Sequence, residues 1–217
     1  AELDFAYRDS LLKRTTEAGS PRYVVLEVGF RLAQGTDSAP IQYGQLADAL
    51  AVEVGGSADP AQVRRTVLEL RASKGMVLDP QDPDTFSTGS FFTNPIVEAQ
   101  EAERLLPAEA PRYPVLDGTG SPVEGRLKLS AAWLIDRSGF GKGFGLPGTR
   151  NERLGLEGPD VAQGRAAVST KHTLAMTNRG SASASDVEAL ARTVRDGVQE
   201  AFGVQLVPEP VMVGFRL

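Results

Sequence analysis

The sequence contains no cysteine and a single histidine, His172. Without cysteine the chain cannot form disulfide bonds, thiolate nucleophiles or cysteine-ligated metal and iron–sulfur sites. One histidine excludes metal sites built from several histidines, and it argues against a Ser-His-Asp triad. We therefore expect no metal site, and any chemistry has to rest on other kinds of side chain.

Long apolar runs are also missing. None approaches the ~20 residues that a membrane-spanning helix requires, and there is no signal-peptide pattern, so we expect a soluble, cytoplasmic protein without a membrane partner. The formal net charge is −5, from 23 basic and 28 acidic side chains. No strong cationic field is present to hold a nucleic-acid backbone, so we expect no nucleic-acid partner, whereas a small anionic ligand needs only a few local cations.

The chain has 217 residues, of which 41% are hydrophobic and 24% charged. This is the composition of a globular protein with one large domain or two modest ones. Strand and helix patterns are mixed without regular βαβ alternation. The sequence therefore predicts an α+β fold with a mixed or antiparallel sheet rather than a doubly wound parallel sheet.

Hydrophobic spacing predicts the individual elements. Helices are expected over residues 43–53, from Pro60 onward, over residues 128–137 and over residues 185–202. Strands are expected over residues 23–32, 168–178 and 204–217, and loops over residues 74–89, 98–124 and 139–148. In the last helix, Ser185 and Glu188 are predicted to form a capping box, and Gly203 to end the helix.

The strongest local signal for chemistry is the segment GSFFTNP at residues 89–95. Gly89 lets the backbone approach a ligand closely, Ser90 offers a hydroxyl and Asn94 offers an amide. The G-x-S-x-G pattern of a nucleophile elbow is absent, but a serine can still donate a proton to a carbanion or enolate. The alternative is an ordinary turn into a buried strand whose two phenylalanines belong to the core.

Two charged residues near the ends of the chain are further candidates. Arg8 could hold a carboxylate through two parallel hydrogen bonds, although a surface ion pair with Asp9 is the alternative. Glu209 lies between two prolines that fix the local backbone, which suits a positioned carboxylate. The alternative is an exposed glutamate in a stiff turn.

Three scattered donors, Lys74, Lys142 and His172, complete the candidates. Lys142 lies in the glycine-rich stretch GFGKGFG, which loosely resembles a phosphate-binding loop. The stretch lacks the Lys-Ser/Thr ending of a P-loop. Solvated surface lysines and a structural histidine are the alternatives.

Seven segments in order resemble one protein family. They are FAYRDS (5–10), IQYGQL (41–46), ELRASKGMVLDP (69–80), TGSFFTNP (88–95), KLSAAWLIDRSGFGKG (128–143), VSTKHTLAMTN (168–178) and FGVQLVPEPVMVGF (202–215). The series is similar to the MurB-type UDP-N-acetylenolpyruvoylglucosamine reductases, also called UDP-N-acetylmuramate dehydrogenases. The similarity spans essentially the whole chain.

This resemblance implies a flavin-dependent oxidoreductase with FAD and NADPH as cofactors. NADPH would reduce FAD, and the reduced flavin would pass a hydride to the enolpyruvyl group of UDP-N-acetylglucosamine enolpyruvate. The product, UDP-N-acetylmuramate, is a precursor of bacterial peptidoglycan. The resemblance thus places the protein in cell-wall synthesis, and through it in cell shape and division.

Carried over by position, the resemblance implies that Ser90 protonates the enol intermediate, while Arg8 and Glu209 stabilise the charge that develops on the carboxylate side of the substrate. Substrate contacts are implied for Tyr7, Tyr43, Lys74, Asn94, Lys142 and His172. Among these, Tyr43 would close over the nucleotide, and His172 replaces a glutamine found in some members.

Family members also carry an N-terminal half that binds most of the FAD, and no segment of this sequence replaces it. We therefore expect the C-terminal part of a reductase. Residues 1–79 would form the edge of the FAD-binding region, to which residues 207–217 return, and residues 80–206 would form the substrate-binding domain. The missing half would then be a partner of exposed apolar surface. A non-enzymatic UDP-sugar-binding module, and an unrelated α+β domain with coincidental motifs, remain as alternatives.

Overall fold

The computed structural model describes residues 2–6, 8–17, 20–117, 120–212 and 217. Helices in these ranges are α1 (Leu11–Arg14), α2 (Gly44–Leu50), α3 (Pro60–Ala72), α4 (Ala99–Leu105), α5 (Ala131–Arg137), α6 (Pro159–Ala162) and α7 (Ala184–Phe202), with a 3₁₀ turn at Pro83–Thr85. Strands are β1 (Thr16–Glu17), β2 (Ser20–Pro21), β3 (Ser87–Ser90), β4 (Ile96–Glu98), β5 (Arg112–Leu116), β6 (Pro122–Leu129), β7 (Arg150–Asn151), β8 (Leu156–Glu157), β9 (Ala166–Val168) and β10 (Ala175–Asn178).

Two three-stranded sheets organise the fold, with strand orders β3-β10-β9 and β4-β6-β5. Every strand pairing in the described part of the chain is antiparallel. Helix α7 packs against β9 and β10, and also against α5 and α6. This arrangement confirms the predicted α+β fold.

The longest helix, α7, carries the core of the protein. Its side chains Leu190, Val194 and Val198 are fully buried. Gly197, on the same helix, lies so close to Phe140 that an added Cβ would come within 2.5 Å of the ring. The glycine thus allows the helix to approach the loop that contains Phe140.

The N-cap of α7 lies two residues before the predicted position. Ser183, not Ser185, is the N-cap, and its hydroxyl accepts a hydrogen bond from the backbone N–H of Asp186 at 3.2 Å. The Asp186 carboxylate accepts the Ser183 N–H in return at 2.8 Å. The capping box is therefore Ser183–Asp186, because Ser183 has the extended backbone that an N-cap needs. Gly203 ends the helix in a left-handed conformation, as predicted.

The helices predicted over residues 43–53 and from Pro60 are confirmed as α2 and α3, and residues 139–148 form a loop. Helix α5 starts at Ala131 rather than at residue 128, because residues 128 and 129 complete β6. The Ser130 hydroxyl caps the helix by accepting the Trp133 N–H at 3.2 Å.

Four of the predicted strand and loop segments differ from the structure. Residues 23–32 form no strand, since nothing in the described part of the chain pairs with them. The predicted loop over residues 98–124 contains α4, β5 and the start of β6, while the predicted strand over residues 168–178 is two strands joined by a turn. Described residues after 203 form only an isolated bridge between Phe92 and Pro208. In each case the outcome depends on the segment with which the strand pairs, and the pattern of a single segment does not record that partner.

In the described ranges, no helix combines the length and the hydropathy needed to cross a membrane.

Candidate functional site

Ser90 is the last residue of β3, and Ala175 of β10 lies opposite it. Gly89 has φ +79°, and a Cβ there would meet no atom within 4 Å. The glycine is therefore required by the backbone conformation, and the space above it is open. The Ser90 hydroxyl donates to no residue that the structure describes, so its proton is available to a ligand.

The chain near its C-terminal end runs antiparallel to the residues that follow Ser90. The N–H of Thr93 donates to the Val207 carbonyl at 3.0 Å, and the N–H of Glu209 donates to the Phe91 carbonyl at 2.8 Å. These two hydrogen bonds place Glu209 beside the end of β3. The two phenylalanines of the segment, Phe91 and Phe92, are buried in the core, as predicted by the alternative in which this segment is an ordinary turn into a buried strand.

Arg8 reaches the same place from the other end of the chain and forms an ion pair with Glu209 Oε1. Glu209 Oε2 is buried, and no described group donates to it. Asp9, the alternative partner of Arg8, pairs with Arg14 at 2.5 Å. The three residues expected to be catalytic therefore meet in one place.

These residues line a cleft of about 740 Å³, here called the Ser90 cleft. Its walls also include Arg71, Met76, Leu78 and Thr88. The cleft combines two guanidinium groups, a carboxylate and a hydroxyl, which is a suitable set for a small carboxylate-bearing ligand.

A second cleft, of about 620 Å³, contains three of the expected substrate contacts: Tyr43, Lys74 and His172. We call it the His172 cleft. Arg8, Arg71 and Met76 line both clefts, so the two are adjacent. The Lys74 ammonium donates to Gln45 at 2.8 Å within this cleft.

His172 has a lowered pKa, first because it is half-buried and then because the Lys74 and Lys142 ammonium groups are nearby. The N–H of Leu174 donates to its Nδ1 at 3.1 Å. The neutral imidazole therefore carries its proton on Nε2. Two lysines and an imidazole N–H form a group that can bind an anion such as a diphosphate.

The structure uses part of the glycine-rich stretch around Lys142 for internal hydrogen bonds. Backbone N–H groups here are used within the fold: Gly143 donates to Val168 and Ser169, and Gly145 donates to Thr149. A Cβ at Gly145 would lie 2.7 Å from the Ala166 carbonyl. The glycines therefore serve close packing, and the contribution of the stretch to the site is the exposed Lys142 side chain.

Asn94 has a local structural contact. Its amide oxygen accepts the N–H of Ala131, the first residue of α5, at 3.0 Å. It also lines a third cleft, of about 490 Å³, which shares Arg8 with the other two. Tyr7, the remaining expected contact, lies outside the described residues.

Sequence reasoning missed Arg71, which lies in the last turn of α3 and lines both main clefts. The available signal was its position three residues before Lys74, a spacing that places two cations on one side of a helix end.

The fold and the clefts define an α+β protein with two adjacent clefts lined by cationic side chains. Residues 148–213 match the family model described as UDP-N-acetylenolpyruvoylglucosamine reductase, C-terminal domain. The chain is similar over its whole length to a UDP-N-acetylenolpyruvoylglucosamine reductase of Nocardia farcinica, with 52% identity, and to that of Mycobacterium avium, with 50% identity. The corresponding reductase of Mycolicibacterium gilvum is 50% identical over 99% of this chain.

The similarity to MurB-type reductases that the motifs indicated is therefore confirmed. The matching family model is that of the C-terminal domain of these reductases. The chain spans about half the length of these relatives: 51% of the Nocardia protein and 54% of each of the other two.

Proposed function

We propose that this chain supplies the substrate-binding domain and the catalytic side chains of a flavin-dependent reductase that converts UDP-N-acetylglucosamine enolpyruvate into UDP-N-acetylmuramate. The observation that carries the proposal is the meeting of Arg8, Ser90 and Glu209 in one cleft. The reaction is proposed from the names of the relatives, which are UDP-N-acetylenolpyruvoylglucosamine reductases.

The Ser90 cleft would take the enolpyruvyl end of the substrate. Arg8 would bind its carboxylate, because a guanidinium group matches a carboxylate with two parallel hydrogen bonds. Arg71 adds a second positive charge in the same cleft. The ion pair of Arg8 with Glu209 fixes the direction from which the guanidinium approaches.

The reduction itself requires a hydride, which bound reduced flavin supplies after NADPH has reduced it. Addition of hydride to the methylene carbon of the enol ether sends negative charge into the conjugated carboxylate. Arg8 would stabilise this charge where it develops, and Glu209 would contribute by holding the Arg8 guanidinium in place through their ion pair. Ser90 then donates its hydroxyl proton to the carbon that bears the ether oxygen, which completes the saturated lactyl ether.

The His172 cleft would take the nucleotide diphosphate part of the same substrate. Lys74 and His172 line this cleft, and the Lys142 ammonium is close enough to His172 to lower its pKa. These groups would provide the positive charge and the donors, and the exposed Tyr43 ring could cover the base or sugar. The two clefts adjoin through Arg8 and Arg71, so one extended ligand can occupy both.

FAD itself fits this chain only in part. The glycine-rich stretch offers no free phosphate-binding amides at Gly143 or Gly145. We therefore propose that most contacts to FAD, and those to NADPH, come from an N-terminal half outside these residues. In this arrangement residues 1–79 and 207–217 border that half, and residues 80–206 form the substrate domain.

The apolar stripe over residues 23–32 supports a partner of this kind. Leu26 is 93% exposed, and Phe30 and Leu32 are about as exposed, at 80% and 81%. Alternating apolar residues that face solvent on a segment without a strand partner are typical of a strand whose sheet lies elsewhere.

The proposal is tested in the protein at its natural full length, by following the absorbance of NADPH after addition of UDP-N-acetylglucosamine enolpyruvate. Substrate-dependent NADPH oxidation with formation of UDP-N-acetylmuramate is expected. A protein that binds UDP-N-acetylglucosamine but holds no flavin and oxidises no NADPH would instead be a UDP-sugar-binding module. For the isolated chain, a visible absorbance spectrum before and after addition of FAD and gel filtration shows whether it retains any cofactor.

A further inference from the structure

Asp84 is a carboxylate that lines neither the Ser90 cleft nor the His172 cleft. It is only 5% exposed and lies in the 3₁₀ turn Pro83–Thr85. A carboxylate so deeply buried needs several hydrogen bonds to remain charged. Its hydrogen-bond partners lie in or beside the β9–β10 hairpin, which carries His172, and the Asp84 backbone packs against the segment that carries Lys74.

The first of these segments is the turn between β9 and β10. Asp84 accepts the backbone N–H of Thr170 at 2.8 Å and the Thr170 hydroxyl at 2.5 Å. Arg179, just beyond β10, donates to the same carboxylate at 3.0 Å. The carboxylate therefore holds the start of the β9–β10 turn through Thr170 and the far end of β10 through Arg179.

The hydrogen bonding continues from this point to His172. The Ser169 hydroxyl oxygen accepts the N–H of Lys171 at 3.0 Å and the N–H of His172 at 3.2 Å. Ser169 is fully buried and directly precedes Thr170, whose N–H and hydroxyl donate to Asp84. The backbone of His172 is thus linked to the Asp84 carboxylate through Ser169 and Thr170.

The second segment is the end of α3 and the residues that follow it. Gly75 has φ +71°, and a Cβ there would come within 2.9 Å of the Asp84 carbonyl oxygen. The backbone next to Lys74 therefore lies directly against Asp84. No other residue type fits this contact without displacing the chain.

The charge of Asp84 is secure at neutral pH. Burial alone would raise the pKa of its carboxyl group, but the hydrogen bonds from Thr170 and Ser169 and the charge of Arg179 outweigh burial and lower it. The carboxylate therefore remains an acceptor for all of these donors over the whole physiological range.

We propose that Asp84 is a positioning residue that sets the spacing between Lys74 and His172, and through it the affinity for the diphosphate of a UDP-sugar. The proposal rests on the proposed function. Asp84 acts through the two segments that it joins, because it touches neither cleft itself. A loss of this anchor would let the two donors move independently, and a displacement of about 1 Å is enough to weaken a multi-point anion site strongly.

The test uses the natural full-length protein and the variants Asp84→Asn and Thr170→Val. Asp84→Asn removes the charge, and Thr170→Val removes one donor from the opposite side of the same contact. Asp160→Asn, at an exposed position on α6, is the matched control for loss of a carboxylate. The quantities measured are the KM for UDP-N-acetylglucosamine enolpyruvate, the inhibition constant of UDP-N-acetylglucosamine, kcat and the rate of flavin reduction by NADPH.

We expect Asp84→Asn to raise both the KM and the inhibition constant about tenfold or more, with kcat within about threefold of the parent and flavin reduction unchanged. Thr170→Val should shift the same constants in the same direction by a smaller factor, and Asp160→Asn should shift neither. If Asp84→Asn fails to fold, Thr170→Val decides the question alone.

A lower melting temperature with unchanged KM and inhibition constants would make Asp84 merely structural and overturn the proposal. A parent protein that neither turns over the substrate nor binds UDP-N-acetylglucosamine would refute the proposed function instead, and the assignment of Asp84 would be refuted with it. The parent and the variants thus distinguish the two failures.

Discussion

Arg8 and Glu209 lie 201 positions apart in the sequence and form an ion pair in the cleft that Ser90 lines. The pair joins segments near the two ends of the chain, and Glu209 is held by the hydrogen bond from its N–H to the Phe91 carbonyl at 2.8 Å. One oxygen of Glu209 engages Arg8, while the other is buried without a described donor. A carboxylate half-engaged in this way is available to a ligand that brings a hydrogen-bond donor.

Replacement of Ser90 by alanine should separate the two half-reactions. Because Ser90 is proposed to donate the proton, product formation in the full-length protein should slow by about 10²–10⁴-fold, while flavin reduction by NADPH is unaffected. Stopped-flow absorbance measures both steps. Ser181→Ala is the control, since Ser181 is exposed and lines neither the Ser90 cleft nor the His172 cleft. Equal rates for Ser90→Ala and the parent would rule out the proton-donor role.

The ion pair of Arg8 and Glu209 can be tested by a double-mutant cycle with Arg8→Lys and Glu209→Gln. Arg8→Lys keeps the positive charge but loses the planar fork, so we expect about a 10²-fold loss in kcat. Glu209→Gln keeps the shape and loses the negative charge. Since the two side chains act together, the double variant should lose much less than the product of the single losses. Multiplicative losses would mean that the two residues act independently.

The lowered pKa of His172 predicts how the affinity for a diphosphate depends on pH. A bound anion stabilises the imidazolium form and raises this pKa, so the protein takes up a proton when the anion binds. Affinity for UDP-N-acetylglucosamine should therefore increase as the pH falls from about 8 to about 6, because the lysines stay charged throughout. Titration calorimetry of His172→Gln should give a flatter profile. An equally steep profile in that variant would assign the effect to another group.

The contact between Gly197 and Phe140 predicts that Gly197→Ala destabilises the protein, although Gly→Ala in a helix usually stabilises it. In an exposed helix, Gly→Ala stabilises by about 1 kcal/mol. At Gly197 the added methyl would overlap the ring of Phe140, and overpacking of this kind costs about 1–3 kcal/mol, so the free energy of unfolding should fall. Gly44→Ala, at the open start of α2, is the matched control, expected to be neutral or stabilising. Urea denaturation measures both.

The exposed stripe over residues 23–32 predicts the behaviour of the isolated chain. Replacement of Leu26 and Phe30 by serine should reduce self-association and the binding of an apolar dye, since these side chains face solvent. The free energy of unfolding should change by less than about 0.5 kcal/mol, because no core contact is lost. Val54→Ser, at another exposed apolar position, is the control. Unchanged dye binding in the double variant would show that the apolar surface that binds the dye lies elsewhere.

Several features could be predicted from the sequence because their cause is local. The apolar spacing of α7 and the proline that begins α3 specify helices from within their own segments. The short motif GSFFTNP was enough to select Gly89 and Ser90 as candidate site residues. The order of the seven motifs indicated the related family. The capping box was misplaced by two residues because both Ser183 and Ser185 have an acidic residue three positions later, and only the backbone of Ser183 decided between them.

The sequence by itself thus determined helices α2, α3 and α7, whose signals lie within their own segments, as well as the α+β class and the chemical identity of the candidate residues. Tertiary structure decided which strands form, because a strand is stabilised by the segment with which it pairs, as β3 is by β10 and β4 by β6. It also decided that Arg8, Ser90 and Glu209 meet, that the Gly143 and Gly145 amides are used for packing, and that Asp84 joins the segments carrying Lys74 and His172. These are long-range contacts, whose energies depend on distances that no local pattern records.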